Sequence, residues 1–318
     1  MKYPFKLADA LVPVLKAYTS QPAPPEGTPM QEVFRQALIA GAAQSKIQSD
    51  EHVTVRDDFF TNSEGVGIQL RVYTPVGLQG AVPCLYWIHG GGTMSGLPEQ
   101  DDPVAYQLAM ALSCVVVSVN YRLAPEHAYP APLNDCYEGL EYVYQHPQQF
   151  GINPDKIAIG GGSAGGMLST SCAILARDRK GPNLVHQSLT YPMLDHRGIT
   201  DSSHEITNVG VWDREMNLYG WQCYLTNVKD TVPSVAVPML AEDLSGLPPA
   251  FLAVGTMDVL RDETIEYAQK LAAAGVVTQL HIYPGMVHVF DALIPDDAAT
   301  KDFNAARINA LKRAFGEL

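Results

Sequence analysis

From residue 82 onwards, short apolar segments rich in Val, Ile and Leu alternate with segments of helical periodicity. The predicted strands lie at 82–89, 114–121, 156–161, 184–192, 250–255 and 278–284. The predicted helices lie at about 101–113, 132–146, 164–178 and 262–275, with a last helix in "DFNAARINALKRAF". Strands that are apolar throughout and alternate with helices are typical of a parallel sheet buried on both faces. The chain is therefore predicted to adopt an α/β fold with a central, mostly parallel sheet covered by helices.

Two parts of the chain lie outside this alternation. Residues 1–50 contain two helical patterns on either side of the Pro-rich connector "QPAPPEGTP" and are predicted to form an N-terminal helical cap segment. Residues 51–318 are predicted to form the core, which starts with the strand-like "VTVRDDFF" and "IQLRVYTP". Within the core, residues from about 196 to 247 are too long for a simple crossover and contain the aromatic "NVGVWDREMNLYGWQCYL". This stretch is predicted to be a helical cap insertion.

Charge and cysteine content limit the partners of the protein. Asp and Glu number 34 against 21 Lys and Arg, and no basic run is interleaved with aromatic residues, which argues against nucleic acid. The five cysteines are scattered without paired spacing and are predicted to be buried thiols in a reducing compartment. No apolar run resembles a signal peptide or a membrane span. We expect a cytoplasmic protein without a membrane partner, and a homodimer is retained as one option for its oligomeric state.

One serine is surrounded by very small residues. The sequence "GGGSAGG" at 160–166 joins a predicted strand to a predicted helix, which is the context of a nucleophile elbow. In that turn the serine has a positive φ and the chain crosses itself closely, so larger neighbours would collide. A phosphate-binding turn is the alternative, but no Gly-Lys-Ser/Thr follows and this strand does not open the sheet. Ser163 is therefore predicted to be a nucleophile.

A second glycine-rich segment, "IHGGGTMSG" at 88–96, follows another predicted strand. A serine hydrolase must stabilise the oxyanion of its tetrahedral intermediate, and unhindered backbone N–H groups do so. Gly91 and Gly92, together with Ala164 after the nucleophile, are predicted to supply these donors. A lone glycine-rich loop is usually only a mobile turn, but two matching loops at the ends of neighbouring strands favour an oxyanion hole.

Several motifs together resemble the bacterial esterases of the hormone-sensitive lipase family. They are, in order, "HGGG" at 89–92, "NYRLAPEHAYPAPLND" at 120–135, "GGSAGG" at 161–166, "DVLRDE" at 258–263 and "YPGMVHVF" at 283–290. The resemblance runs from about residue 50 to the C-terminus. It implies an α/β-hydrolase fold with a cap, and the hydrolysis of carboxylic esters.

The chain departs from this family pattern at three positions. Gly162 stands where the family often has Asp or Thr, Thr93 where an aromatic residue is common, and Val289 where Gly is usual. The resemblance implies that all three border the acyl or alcohol pocket. We expect them to affect substrate preference and to leave the catalytic groups in place.

Nine histidines compete for the role of base. In this fold the order along the chain is serine, acid, histidine, and the base follows the last strand. His288 lies in that loop, whereas His281 lies inside the strand and His89 precedes the serine. His288 is therefore predicted to be the base, and His89 is interpreted as a brace for the glycine loop.

The acid is expected just beyond the strand "PAFLAVG". Asp258 fits this position. Asp262 and Glu263 come later, where a helix begins, and their expected role is to complement the helix dipole.

These residues predict a serine carboxylesterase that forms a covalent acyl-enzyme from a small-molecule ester without a metal or cofactor. An amidase, formamidase or peptidase with the same triad is an alternative. A binding protein on the hydrolase fold, like the plant gibberellin receptors, is another, but those proteins lack the histidine base for which His288 is present here. A roof over Ser163 is expected to favour short and medium acyl chains. Its predicted residues are Phe34, Leu38, Ile39, Trp212, Met216, Leu218, Tyr219 and Trp221.

Overall fold

The computed structural model describes residues 5–20, 24–209 and 211–317, and predictions that fall on residues 1–4, 21–23, 210 or 318 lie outside this range. Eight strands form one sheet. They are β1 (Val53–Thr61), β2 (Gly67–Pro75), β3 (Val82–Ile88), β4 (Val115–Val119), β5 (Ile152–Gly162), β6 (Leu184–Thr190), β7 (Ala250–Gly255) and β8 (Thr278–Tyr283). Each predicted strand has its counterpart among these eight.

The strand order in the sheet is β1-β2-β4-β3-β5-β6-β7-β8. Strands β3 to β8 run parallel to one another, and β2 pairs antiparallel with both β1 and β4. The predicted mostly parallel sheet is therefore confirmed. In such a sheet the carboxyl ends of the parallel strands meet at one edge, where binding sites of open α/β sheets form.

Helices cover both faces of the sheet. They are α1 (Leu11–Thr19), α2 (Met30–Ser45), α3 (Asp102–Leu112), α4 (Ala131–Gln145), α5 (Pro147–Phe150), α6 (Ala164–Arg179), α7 (Asp201–Glu205), α8 (Arg214–Leu225), α9 (Arg261–Ala273), α10 (Phe290–Leu293) and α11 (Ala298–Phe315). The helices predicted between the strands correspond to α3, α4, α6 and α9. Measured against a bilayer, every described helix is too short or too polar to serve as a transmembrane span.

The alternation of side chains along a strand explains why the central strands are apolar throughout. In β3, Leu85 and Trp87 are buried in one apolar cluster with residues of α3 and α11, whereas Tyr86 and Ile88 are buried in another with residues of α4 and α6. Both faces of this strand are therefore inside the protein, and neither can be polar.

The N-terminal helices and the segment between β6 and β7 contact each other. Phe34 of α2 packs edge-on against Trp212, with ring centroids 5.9 Å apart, and the Tyr219 hydroxyl of α8 donates to Gln31 of α2. Two predicted roof residues do not belong to this contact. Ile39 is 57% exposed and Leu218 is 36% exposed, because each lies on the outer face of its helix. Their assignment to the roof was wrong.

Candidate active site

Three strands bring the predicted site residues to the same edge of the sheet. Ser163 follows β5 directly, Asp258 comes three residues after β7, and His288 comes five residues after β8. The glycine-rich loop at 89–96 follows β3, which pairs with β5. Parallel pairing therefore assembles side chains that are up to 125 residues apart in sequence.

The turn at Ser163 has the strained backbone predicted for it. Its φ is 58° and its ψ is −123°, and the residue is the N-cap of α6. A Cβ atom on Gly161 or on Gly165 would collide with the carbonyl oxygen of Ile88 in the neighbouring strand. The serine is therefore flanked by glycines because the chain passes too close to β3 for any side chain at these positions.

Ser163, His288 and Asp258 form a continuous chain of hydrogen bonds. Ser163 Oγ lies 3.0 Å from His288 Nε2, and His288 Nδ1 lies 2.8 Å from Asp258 Oδ2. All three are buried, with exposed fractions of 4%, 3% and 0%. Since an ionised carboxylate only accepts, Nδ1 carries the proton and Nε2 of the neutral ring faces the serine hydroxyl. This arrangement can remove the proton of a serine nucleophile.

The glycine-rich loop has an unusual backbone. Gly91 and Gly92 have φ angles of 116° and 62°, and the non-glycine residue Thr93 follows with a φ of 61°. The carbonyl of Gly91 accepts from Met94 N, Ser95 N and Ser95 Oγ. Within the described residues, neither the Gly91 nor the Gly92 amide donates to another backbone carbonyl. Their N–H groups remain available to a ligand.

Ala164 supplies a third backbone donor next to the serine. It is the first residue of α6, so its N–H has no acceptor within the helix. The N-terminus of a helix also favours negative charge. The structure thus places the three predicted amides around the edge of the sheet where Ser163 lies.

His89 is fully buried under the glycine-rich loop. Its Nδ1 lies 2.8 Å from the Gly90 carbonyl oxygen, and its ring stacks on that of Tyr121 with centroids 4.2 Å apart. Burial lowers the pKa of His89 to about 4, so the ring is neutral near pH 7 and Nδ1–H donates to Gly90. These contacts fit the interpretation of His89 as a brace.

Two aromatic residues, Tyr191 and Trp212, lie beside His288, and the sequence did not predict this contact for either of them. The ring of Tyr191 meets that of His288 edge-on at 4.6 Å, and its hydroxyl donates to Asp291. The ring of Trp212 lies 6.0 Å from that of His288, and its Cη2 atom lies 2.5 Å from the position a Cβ would take on Gly92. The only available signal for Tyr191 was its place directly after β6, at the same edge as the other site residues.

Asp262 and Glu263 were expected to complement the dipole of their own helix. In the structure they also accept hydrogen bonds from backbone amides of the segment that follows β6. Asp262 accepts from the Ser202 amide, and Glu263 accepts from the amides of Leu194 and Asp195. Glu263 is almost fully buried, and burial raises the pKa of its carboxyl well above its usual range, to which the charges of Asp195 and Asp258 contribute. The helix-dipole interpretation was incomplete because it considered only their own helix.

The three positions that depart from the family pattern lie close to these groups. A Cβ on Gly162 would lie 3.2 Å from the Tyr191 ring, Thr93 is buried with its hydroxyl donating to Gly92 O, and Val289 follows His288 with a φ of 54°.

Across the described segments, no group of three or more His, Cys, Asp or Glu side chains is arranged to hold a metal ion.

Comparison with known proteins agrees with this geometry. A family model described as the alpha/beta hydrolase fold matches residues 85–292. The chain is 38% identical over 252 residues to carboxylesterase NlhH of Mycobacterium tuberculosis, which covers 78% of this chain and 79% of that protein. It is 30% identical to an ethyl acetate hydrolase of Pseudomonas putida, covering 80% of this chain and 79% of that protein.

Among solved structures, a bacterial heroin esterase superposes with a TM-score of 0.88 at 34% identity, covering 95% of this chain and 97% of that one. These matches confirm the predicted fold and the resemblance drawn from the motifs, and they bear out the prediction of a carboxylic ester hydrolase. The chain therefore belongs to the hormone-sensitive-lipase-like esterases of the α/β-hydrolase family.

Proposed function

We propose that the protein is a carboxylesterase in which Ser163 is the nucleophile, His288 the base and Asp258 the acid that orients it. The observation that carries this assignment is the hydrogen-bonded chain from Ser163 Oγ through both nitrogens of His288 to Asp258. Gly91, Gly92 and Ala164 are proposed as the oxyanion hole. The free N–H groups of the two glycines and the helix N-terminus at Ala164 support this choice.

Hydrolysis proceeds in two stages. Ser163 Oγ attacks the ester carbonyl carbon while its proton passes to His288 Nε2, and the three backbone N–H groups bind the resulting oxyanion. The bond to the alcohol oxygen breaks as His288 returns the proton to the departing alcohol. Water then loses a proton to His288 as it attacks the acyl-enzyme, and the carboxylic acid leaves as Ser163 regains its hydrogen. Asp258 stabilises the imidazolium formed in both stages.

The proposed substrates are small-molecule esters with acyl groups of about two to eight carbons. Two features support a small pocket: Ser163 is only 4% exposed, and Trp212 lies against both Gly92 and His288. The name of the Pseudomonas relative, ethyl acetate hydrolase, is consistent with a short acyl group. Excluding water around the oxyanion strengthens its hydrogen bonds.

We further propose the division into an N-terminal helical cap segment at 1–50 and a core at 51–318 with a cap insertion at about 196–247. A cytoplasmic location and a homodimer are kept as proposals. All five cysteines are buried and free, as expected in a reducing compartment. Cell fractionation tests the location, and sedimentation of the purified protein tests the dimer.

The activity is tested with p-nitrophenyl esters of increasing acyl length and with p-nitroanilides of the same acids. We expect turnover of the acetate and butyrate esters, with much slower cleavage of the matched anilides. Anilide hydrolysis at rates similar to those of the esters would instead identify an amidase.

A further inference from the structure

The backbone of the proposed oxyanion loop needs external support. Gly91, Gly92 and Thr93 have φ angles of 116°, 62° and 61° in succession. Threonine rarely adopts a positive φ, and such a conformation persists only where surrounding contacts impose it. These contacts also decide where the Gly91 and Gly92 N–H groups point, so the residues that hold the loop affect the proposed oxyanion hole.

Arg35 of α2 is one such residue. Its Nε donates to the carbonyl of Met94 at 2.8 Å, and its Nη2 donates to the carbonyl of Ala124 at 2.9 Å. Ala124 in turn donates its amide to the carbonyl of Thr93 at 2.9 Å. One guanidinium therefore joins the oxyanion loop to the loop that begins after β4, directly beside the strained residue.

Glu126 fixes the orientation of this guanidinium. Arg35 Nη1 and Nη2 donate to its two carboxylate oxygens at 2.9 and 2.6 Å, which is the bidentate geometry that arginine forms with carboxylates. These hydrogen bonds lower the pKa of Glu126 to about 2, so the carboxylate is ionised over the range in which esterases are assayed. Glu126 thus sets the plane of the Arg35 guanidinium, and the edge of the guanidinium that carries Nε and Nη2 faces the carbonyls of Met94 and Ala124.

Arg35 also attaches α2 to the core. An arginine that only stabilised the fold would make the same kinds of contact, so the test needs a control arginine. The chain offers a matched comparison in Arg177 of α6, which pairs with Asp178 at 2.8 Å and donates to the carbonyls of Asp243 and Ser245. The side chains of Arg35 and Arg177 are 19% and 22% exposed. The two arginines differ in what they hold, because Arg177 lies in the last turn of α6, at the opposite end of this helix from Ser163, and its carbonyl acceptors lie in the segment before β7.

We propose that Arg35 is a positioning residue that holds the oxyanion loop through Met94 and Ala124, so that the N-terminal helix α2 contributes to transition-state stabilisation. This inference rests on the proposed function of Gly91 and Gly92. It assigns to α2 a role in catalysis without contact to the reacting atoms.

The test compares Arg35→Met with Arg177→Met, since methionine keeps part of the aliphatic volume and removes every donor. Steady-state kinetics with p-nitrophenyl butyrate are measured for both. Loss of a whole oxyanion donor costs about 100- to 1,000-fold in kcat, so a displaced loop is expected to cost about 10- to 100-fold. For Arg35→Met we expect that loss in kcat with KM within about threefold of wild type. For Arg177→Met we expect kcat within about twofold.

A second readout distinguishes the oxyanion hole from general damage. A boronic acid forms a tetrahedral adduct with a serine nucleophile, and one of its oxygens occupies the oxyanion hole. In Arg35→Met its inhibition constant should weaken by the same factor as kcat/KM, as expected for a transition-state analogue. An unchanged inhibition constant would overturn the proposal.

The melting temperature of each variant is measured as a control for its stability. If Arg35→Met does not fold, Arg35→Lys keeps the charge next to Glu126 but cannot span two carbonyls and a carboxylate, and kcat should fall several-fold. Arg35 variants that lose no more kcat than Arg177→Met, or that change only KM, overturn the role of Arg35 and leave the esterase assignment intact. An inactive wild-type protein, or an active Ser163→Ala variant, refutes the proposed function and this inference together.

Discussion

Asp258 and Asp262 are four residues apart, yet only Asp258 reaches the imidazole of His288. Asp258 Oδ2 lies 2.8 Å from His288 Nδ1, whereas Asp262 Oδ2 lies 2.7 Å from the amide of Ser202, and Asp262 also pairs with Arg261. The two carboxylates therefore have different neighbours, and amide substitutions at the two positions are expected to have different consequences.

Asp258→Asn should lower kcat by about a thousandfold or more, because the amide cannot hold His288 in the tautomer that accepts a proton from Ser163. Asp262→Asn should change kcat little, since an asparagine oxygen can still accept from the Ser202 amide. Turnover of p-nitrophenyl butyrate by the two variants checks this prediction. The opposite order of severity would show that Asp262 is the acid.

Ser163→Ala should abolish ester hydrolysis and leave the fold intact, because it removes the nucleophile and adds no bulk to the turn. We expect a loss of about a thousandfold or more in kcat with an unchanged circular dichroism spectrum. A fluorophosphonate should label the wild-type protein at Ser163. Peptide mapping that finds the label on Ser95 or Ser169 would refute the assignment of the nucleophile.

The sequence was sufficient to predict which strand each proposed site residue follows. Ser163, Asp258 and His288 each come within five residues of a strand end, and parallel strands bring their carboxyl ends to one edge. A tight turn was predicted from the small residues around Ser163, but the partner of the close approach was not, because the atom that a Cβ on Gly161 or Gly165 would meet is the carbonyl oxygen of Ile88 in the neighbouring strand β3.

Contacts between helices and loops were not predictable in this way. Arg35 and its acceptor Met94 are 59 residues apart, and Glu263 and Leu194 are 69 apart. Helical periodicity indicates which face of a helix is apolar, but not which loop a single charged side chain meets. Ile39 and Leu218 show a related limit, because each is apolar and yet lies on an exposed face.

Glu263 predicts a pH dependence of stability. Its folded-state pKa is raised by burial above the value of about 4.3 expected in the unfolded chain. Between these two pKa values the folded protein retains a proton that the unfolded chain has released. The free energy of unfolding therefore falls by up to about 1.4 kcal/mol per pH unit as the pH rises through this window.

Glu263→Gln removes this titration but can keep the oxygen that accepts from Leu194 and Asp195. Urea unfolding at pH 5 to 8 should show the variant gaining stability relative to wild type as the pH rises. Glu266→Gln, at an exposed position of the same helix α9, is the control and should show no such trend. A constant difference between Glu263→Gln and wild type across this range would mean that the buried carboxyl is already ionised.

The last prediction concerns the acyl chain length that Trp212 permits. The Trp212 indole lies against the position of Gly92 and 6.0 Å from the His288 ring, and it is held by the edge of Phe34 and by Asn217, whose side-chain oxygen accepts from Nε1. We expect kcat/KM of the wild-type protein to rise over short acyl chains, with each buried methylene contributing at most about 0.8 kcal/mol, and to fall beyond about eight carbons.

Trp212→Ala should move the optimum to longer chains, because it removes a large side chain between the oxyanion loop and the base. The check is the ratio of kcat/KM for p-nitrophenyl decanoate to that for the butyrate, which we expect to increase about tenfold, roughly the value of two additional buried methylenes. Trp221→Ala is the matched control. Trp221 was also predicted to be a roof residue and is similarly buried in the same segment, but its ring packs near His196 rather than His288. This substitution should destabilise the protein without changing this ratio. A ratio that stays constant in Trp212→Ala, with altered preference only among alcohol groups, would place Trp212 beside the leaving group and contradict its role in limiting the acyl chain.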